Sequence, residues 1–404
     1  MYKPNMNITI PETENGIRKK QEKSFTKSCL RHAGTHKKTP IEVWWDLIQS
    51  DNAQIEIEQR LRQVYESNLP TLGELIFTSV CQYRCQHCIY HTDYSKHNAR
   101  LTVDQWKNVI RSIYNHIGIR KFIHCGRSID DTGVETLKWM RQSFNDIQIG
   151  LIDNGISLIP YLDELDAVQP DWIDISIDGM EKEHDLQRRQ PGSFKKTLNT
   201  LSYLNQKDSV PKVSILICLT SVNKDSVINL IEFMNQKGFK NFFILPVSAF
   251  DDYRPFTKLK VSGDEFAKFL QQLQYSLDKF KDTWIEVNLF DIRYLKDIKI
   301  YYPELWQRFK PKEEHLSYKM LHRDNEFYIN YYPLSLHGIR EFTVNSNGDV
   351  IFPLVVRKGK LLNEDIIGNL ISHNAIEIME KLRSFKLSYH VDALLFEKNC
   401  IGGK

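Results

Sequence analysis

Three cysteines, Cys81, Cys85 and Cys88, fall within the stretch C-Q-Y-R-C-Q-H-C. A chain of this length with 7 Cys would carry such a triplet by chance only about 0.002 times, so the spacing asks for a chemical explanation. Three thiolates at these spacings can hold three corners of one iron–sulfur cluster and leave the fourth iron open. Structural zinc is the alternative. It wants four closed ligands, and only one C-x2-C knuckle is present, so His87, His91 or His97 would have to complete the site. The iron–sulfur reading fits the residues better. Cys29, Cys125, Cys218 and Cys400 stand apart from each other in sequence.

The elements around the triplet show how it would be positioned. From Leu72 onward, apolar strand-like runs recur at 74–80, 121–125, 146–152, 172–178, 212–220 and 241–246, separated by helical patterns. Thr102-Val103-Asp104-Gln105 is a capping-box start. Ser193 and Asn223 can start two further helices, the second stopping at Gly238. Six β–α repeats predict an α/β fold, a parallel sheet curling into a partial (β/α)6 barrel. The triplet then sits in the loop after the first strand, at the mouth where barrel enzymes place their active sites. Within the strands, Ile173, Ile175 and Ile177 alternate with Asp174, Ser176 and Asp178. Val213, Ile215, Ile217 and Leu219 alternate likewise with Ser214, Leu216, Cys218 and Thr220. Helices outside the sheet need the apolar set, so the more polar set lines the inside and suits a polar ligand.

Composition bounds the rest. The 404 residues carry a formal net charge of +3, which argues against a dedicated nucleic-acid binder. The excess is local: residues 1–40 hold nine Lys/Arg and three acids, and read as a flexible basic arm. Residues 41–69 predict two short helices. No apolar run reaches membrane-spanning length and no signal pattern opens the chain, so a cytoplasmic protein with reduced cysteines is expected. After Pro246 come an amphipathic helix from Ser262, a strand at 284–290, a hairpin at 340–356 turning at Asn345-Ser346-Asn347-Gly348, and a helix over roughly 374–386.

Over roughly 72–250 the sequence resembles the radical S-adenosylmethionine (SAM) enzymes. Their C-x3-C-x2-C follows the first strand of a (β/α)6 partial barrel. Cys125-Gly126-Arg127 looks like the family's G-G-E stretch, Asp153-Asn154-Gly155 like its T-N-G, Ser176-Ile177-Asp178-Gly179 like its S-x-D-G, and His184-Asp185-Leu186-Gln187-Arg188 like its H-D-x-x-R. The resemblance implies that Cys81, Cys85 and Cys88 ligate one [4Fe–4S] cluster. Its open iron would chelate SAM, and one electron would cleave SAM to a 5′-deoxyadenosyl radical that abstracts hydrogen from a C–H bond. It also implies cofactor contacts from Tyr90, Gly126, Arg127, Asn154, Ser176, Asp178 and Arg188, with Ser176 and Arg188 on the methionine carboxylate. An electron donor such as flavodoxin or ferredoxin is implied as well. Arg127 departs from the family's acid and leaves that carboxylate's role in doubt.

The segment 342–370, with Asn347-Gly348-Asp349-Val350 and Ile367-Gly368-Asn369-Leu370, resembles the SPASM extension of peptide-modifying relatives. Pro353-Leu354 stands where that extension has a cysteine ligand, so a SPASM-like domain without auxiliary clusters is expected. The expected organisation is a basic arm (1–40), a helical N-terminal extension (41–69), the partial barrel (70–250) and a small α+β C-terminal domain (251–404). Peptide modification, by epimerisation or cross-linking, is the leading expectation. The alternatives are a small-metabolite enzyme acting on a sugar or aminocyclitol, and a non-catalytic scaffold that keeps the cluster. Cys218, on the inner face of the fifth strand, is a candidate hydrogen donor to a substrate radical; the plainer reading is a small core residue.

Overall fold

Strand and helix alternate six times between residues 72 and 246, as the apolar runs require. β1 (Leu72–Leu75), β2 (Lys121–His124), β3 (Gln148–Asp153), β4 (Trp172–Ser176), β5 (Val213–Leu219) and β6 (Asn241–Pro246) pair in chain order. Every pairing is parallel. The computed structural model describes residues 38–51, 53–88, 100–207, 211, 213–248, 254–312, 315–336, 341–351, 356–357, 360–361 and 366–402. The basic arm to residue 37 therefore lies outside the described residues, as do Cys29, Tyr90, His91, His97 and Pro353.

β1 ends earlier than the apolar run 74–80 suggests. Ile76 still donates its N–H to Val344 O (2.9 Å), and the chain then leaves the sheet as the cysteine loop. Thr102 opens the next helix, Val103–Ser112, as a full capping box: its hydroxyl accepts Gln105 N–H and Gln105 Oε1 accepts its N–H (2.9 Å). That helix runs on as a π-turn over Ile113–Ile117 and stops at Gly118. A π-turn is a departure that the 3.6-residue pattern does not announce.

The sheet continues past Pro246. β7 (Trp284–Leu289) adds parallel to β6, and β10 (Asn325–Tyr331) parallel to β7. β9 (His315–His322) and β8 (Lys310–Lys312) follow antiparallel. On the opposite edge β11 (Glu341–Val344) lies parallel to β1. β12 (Asp349–Ile351) and β15 (Ile366–Asn369) then add antiparallel. One open 13-stranded sheet results, and β13 (Val356–Arg357) with β14 (Lys360–Leu361) forms a separate ribbon. Residues on both sides of position 250 thus belong to one sheet. The two SPASM-like motifs meet at its edge, where Asn369 Nδ2 donates to Asn347 O (3.0 Å) and to Asp349 Oδ1 (2.8 Å). Gly348, with φ +86°, supplies the left-handed turn between β11 and β12.

Ile173, Ile175, Ile177, Ile215, Ile217 and Leu219 are fully buried against the surrounding helices. Each contributes about 1.5–3 kcal/mol by leaving water. Asp174 and Ser176 alternate with Ile173 and Ile175 on the other face of β4 and, like Asp178, are buried as well.

The N-terminal helices Pro40–Gln49 and Gln54–Ser67 pack on the C-terminal helix Ala375–Gly402. This last helix outruns its expected end near 386, because Val391, Leu394 and Ile401 continue its buried stripe. Glu397 ties the three regions together. Its buried carboxylate accepts Trp44 Nε1–H (2.9 Å), Leu334 N–H (2.6 Å) and the hydroxyls of Tyr331 and Ser335.

Candidate cluster and cofactor site

The cysteine loop is fixed by its own backbone and by one helix. Arg84 folds back to donate to the carbonyls of Cys81 (3.0 Å) and Tyr83 (3.1 Å), and Cys88 N–H reaches Cys85 O (3.3 Å). Gln86 clamps the loop to the end of the helix Glu181–Arg188. Its N–H donates to Gln187 O (2.9 Å) and its Nε2 to Leu186 O (2.8 Å). Cys85 is buried, whereas Cys81 and Cys88 are half-buried. Burial pushes the Cys85 thiol up to about 12; Arg188 opposes this, and Cys88, Asp178 and Cys81 add to it. The three thiols therefore share one electrostatic neighbourhood.

Three thiolate donors on one loop suit an iron–sulfur cluster. Among the described residues no three His, Cys, Asp or Glu side chains are grouped to hold one metal ion. Cluster thiolates bind separate irons and need not converge on one point. A buried thiol that resists ionisation when free is deprotonated outright on coordination.

The helix Glu181–Arg188 organises the rest of the wall. His184 Nδ1 accepts the Asp178 N–H (3.1 Å). Burial lowers this imidazole to about 4, so it is neutral at pH 7 with its proton on Nε2. Asp185 accepts from Ser193 Oγ (2.8 Å) and Phe194 N (2.8 Å), capping the helix Ser193–Asn205. Gln187, fully buried, donates to Cys218 O (2.9 Å) and accepts the Thr220 hydroxyl (2.6 Å). Arg188 Nε donates to Asp178 Oδ2 (2.6 Å), and its Nη1 stands 3.9 Å from Cys85 Sγ.

Asp178 Oδ1 accepts the Cys218 N–H (2.9 Å), so both carboxylate oxygens are engaged within the wall. Burial alone would raise Asp178; Arg188, His87 and His184 outweigh it and hold the carboxyl at about 2. Asn223 does not cap its helix through its side chain as the sequence suggests. Its Nδ2 instead bonds the carbonyls of Asp178 and Cys218 (2.8 Å to the latter), and its Oδ1 accepts Thr220 N–H (2.7 Å).

The remaining expected residues line the same mouth. Ser176 ends β4, on the face opposite Ile175. Gly126 follows β2 with φ +85°, a conformation that favours glycine, and Arg127 beside it is buried. Asn154 spends its side-chain oxygen on its own turn, accepting Ile156 N–H (2.8 Å) and Ser157 N–H (3.2 Å). The neighbouring Asp153 accepts Gly155 N–H (2.7 Å) and the Ser157 hydroxyl, and burial raises it to about 6. Cys218 is half-buried, and burial pushes its thiol up in the field of Asp178, Arg188 and Cys85. Sequence reasoning missed Gln86, Gln187 and Asn223. The signal for Gln187 was its position three residues after His184, which puts both on one helix face.

Residues 75–234 match the sequence model of the Radical SAM superfamily. The sporulation killing factor maturation protein SkfB of Bacillus subtilis (strain 168) is 26% identical over 171 residues, 41% of this chain. The match covers 40% of that relative. In fold, anSMEcpe with bound AdoMet superposes with a TM-score of 0.53 at 18% identity, covering 78% of this chain and 82% of that one. Streptococcus suis SuiB bound to precursor peptide SuiA gives 0.56 at 13% identity, covering 90% and 76%.

Proposed function

We propose that the chain is a radical SAM enzyme acting on a peptide; the match of residues 75–234 to the Radical SAM superfamily model supports the reading. The observation that carries the reading is the meeting of three thiols with the buried Arg188–Asp178 pair at the C-terminal mouth of the parallel strands. The peptide substrate is supported by the maturation role in SkfB's name and by the precursor peptide bound to SuiB.

When bound, a [4Fe–4S] cluster supplies the electron that cleaves SAM, and the cleaved cofactor supplies the oxidant for a substrate C–H bond. Cys81, Cys85 and Cys88 would bind the cluster. Ser176 and the remaining guanidinium N–H groups of Arg188 would orient the SAM carboxylate. The Gly126 backbone, Arg127 and Asn154 border the same mouth, and Asp178 orders the lining. The buried concave face excludes water from the reacting atoms. Cys218 would return a hydrogen atom to the substrate radical, making the net change an epimerisation and leaving a thiyl radical that one electron from the external donor and one solvent proton would restore to the thiol. An electron donor of the flavodoxin or ferredoxin kind reduces the cluster.

The test is anaerobic incubation of the reconstituted chain with reductant, SAM and candidate precursor peptides in deuterated buffer, read by mass spectrometry. Expected are 5′-deoxyadenosine and a peptide that gains one solvent deuterium. A sugar or aminocyclitol product with untouched peptides overturns the substrate class. A cluster-loaded chain that forms no 5′-deoxyadenosine overturns the activity.

A further inference from the structure

Arg188 is buried; Asp178 anchors its guanidinium, and Gln86 anchors the backbone just before it. Asp178, fully buried, takes its Nε at 2.6 Å and is itself tied to the Cys218 N–H and, through its own N–H, to His184. On the loop side, Gln86 binds the carbonyls of Leu186 and Gln187, the two residues before Arg188. The cysteine loop and the guanidinium are thereby set in fixed register. Nη1 faces Cys85 Sγ at 3.9 Å. Arg188 thus brings a cation to the Cys85 corner, and an arginine cannot discharge it by losing a proton.

We propose that Arg188 tunes the cluster: a fixed positive charge at the Cys85 ligand, held there by Asp178 and Gln86, that makes the cluster easier to reduce. Reduction adds negative charge, so a cation at a ligand sulfur stabilises the reduced state more than the oxidised one. Net charge and hydrogen bonds to the sulfurs are the protein's means of setting such potentials. This role does not involve SAM and adds to the carboxylate contact above. It rests on the cluster reading.

The experiment is an anaerobic redox titration of reconstituted chain without SAM, followed by electron paramagnetic resonance, on wild type, Arg188→Gln and Arg188→Lys. At a fixed potential the reduced-to-oxidised ratio of Arg188→Gln is expected to fall about tenfold, equivalent to about 59 mV for one electron. Arg188→Lys should lie between the two. A ratio for Arg188→Gln within threefold of wild type overturns the proposal. Wild-type chain carrying guanidinium-¹⁵N arginine, read against equally labelled Arg188→Lys so that Arg84 and Arg127 cancel, decides the matter where Arg188→Gln takes up no iron. Pulsed resonance is expected to show nitrogen coupled to the reduced cluster, and its absence overturns the proposal. Wild type that takes up no iron overturns the cluster reading itself, a separate failure.

Discussion

Asp178→Asn isolates the strongest interaction in the site. The substitution keeps an oxygen able to accept the Cys218 N–H (2.9 Å), so that bond, worth about 1 kcal/mol, survives. What is lost is the negative charge opposite Arg188, whose Nε lies 2.6 Å from Asp178 Oδ2 in a site where Asp178 has no exposure. With charge centres about 4 Å apart and an effective dielectric of about 20, the Coulomb attraction is about 4 kcal/mol. Breaking a buried pair from one side costs about 3–5 kcal/mol, because the other charge stays buried. Asp178→Asn should therefore destabilise the apo-chain by about 3–4 kcal/mol at pH 7 in urea unfolding. The cost depends on pH with a definite sign. The folded carboxyl sits at about 2 against 3.8 when free. Its contribution is complete above pH 3.8 and fades as pH falls toward 2, a change of about 2 kcal/mol. The gap between wild type and variant should narrow by that amount from pH 5 to pH 2.5. Asp178→Asn combined with Arg188→Met should recover at least half the loss, since no unpaired charge remains. A penalty under about 1 kcal/mol at pH 7, or a gap that ignores pH, refutes the reasoning.

Asp174 moves the opposite way: burial raises it to about 8, with Ser214 and Lys121 opposing and Glu286 adding. Its contribution is complete below pH 3.8 and is lost as pH rises to 8, about 1.4 kcal/mol per pH unit. Asp174→Asn should lack that slope between pH 5 and 8 in chemical unfolding, and equal slopes exclude the assignment. Glu397→Ala strips the acceptor from Trp44, Tyr331, Leu334 and Ser335. It should cost about 3–5 kcal/mol and loosen the N-terminal helices in hydrogen exchange; unchanged protection of 41–67 contradicts the hub. Iron analysis of reconstituted chain should give about four irons and none after Cys85→Ala, whereas about eight irons would reveal a second cluster. Cys218→Ala should retain iron and SAM cleavage while losing solvent deuterium from the product; unchanged deuterium uptake removes Cys218 from the hydrogen-return step.

The six central strands were legible because each is short, apolar on one face and closed by a turn or helix signal. The edges were not. β11 pairs with β1 across a register such as Gly73↔Phe342, and no local pattern names a partner so far along the chain. The same holds for β7 and β10, whose parallel pairing, Asn288↔Asn330 among its registers, carries the sheet past the point where the β–α rhythm stops. Periodicity reports which face of a strand is buried; the neighbour is chosen by long-range packing.

The site shows a second limit of the same kind. Polar residues facing inward suggest ligand contacts, yet Asp178 and Asn154 commit oxygens to the wall itself. The geometry of His184-Asp185-Leu186-Gln187-Arg188 explains why. On one helix turn, His184, Gln187 and Arg188 fall on a shared face and reach, respectively, Asp178, Cys218 and the Asp178–Cys85 gap. Asp185 points the other way and caps the following helix. Leu186 is exposed, and its carbonyl receives Gln86 from the cysteine loop. Five consecutive residues thus join β4, β5, the next helix and the cluster loop. The spacing of the motif is the helical repeat needed to reach those partners, so a shift of one residue would separate Arg188 from Cys85 even if every residue type were kept.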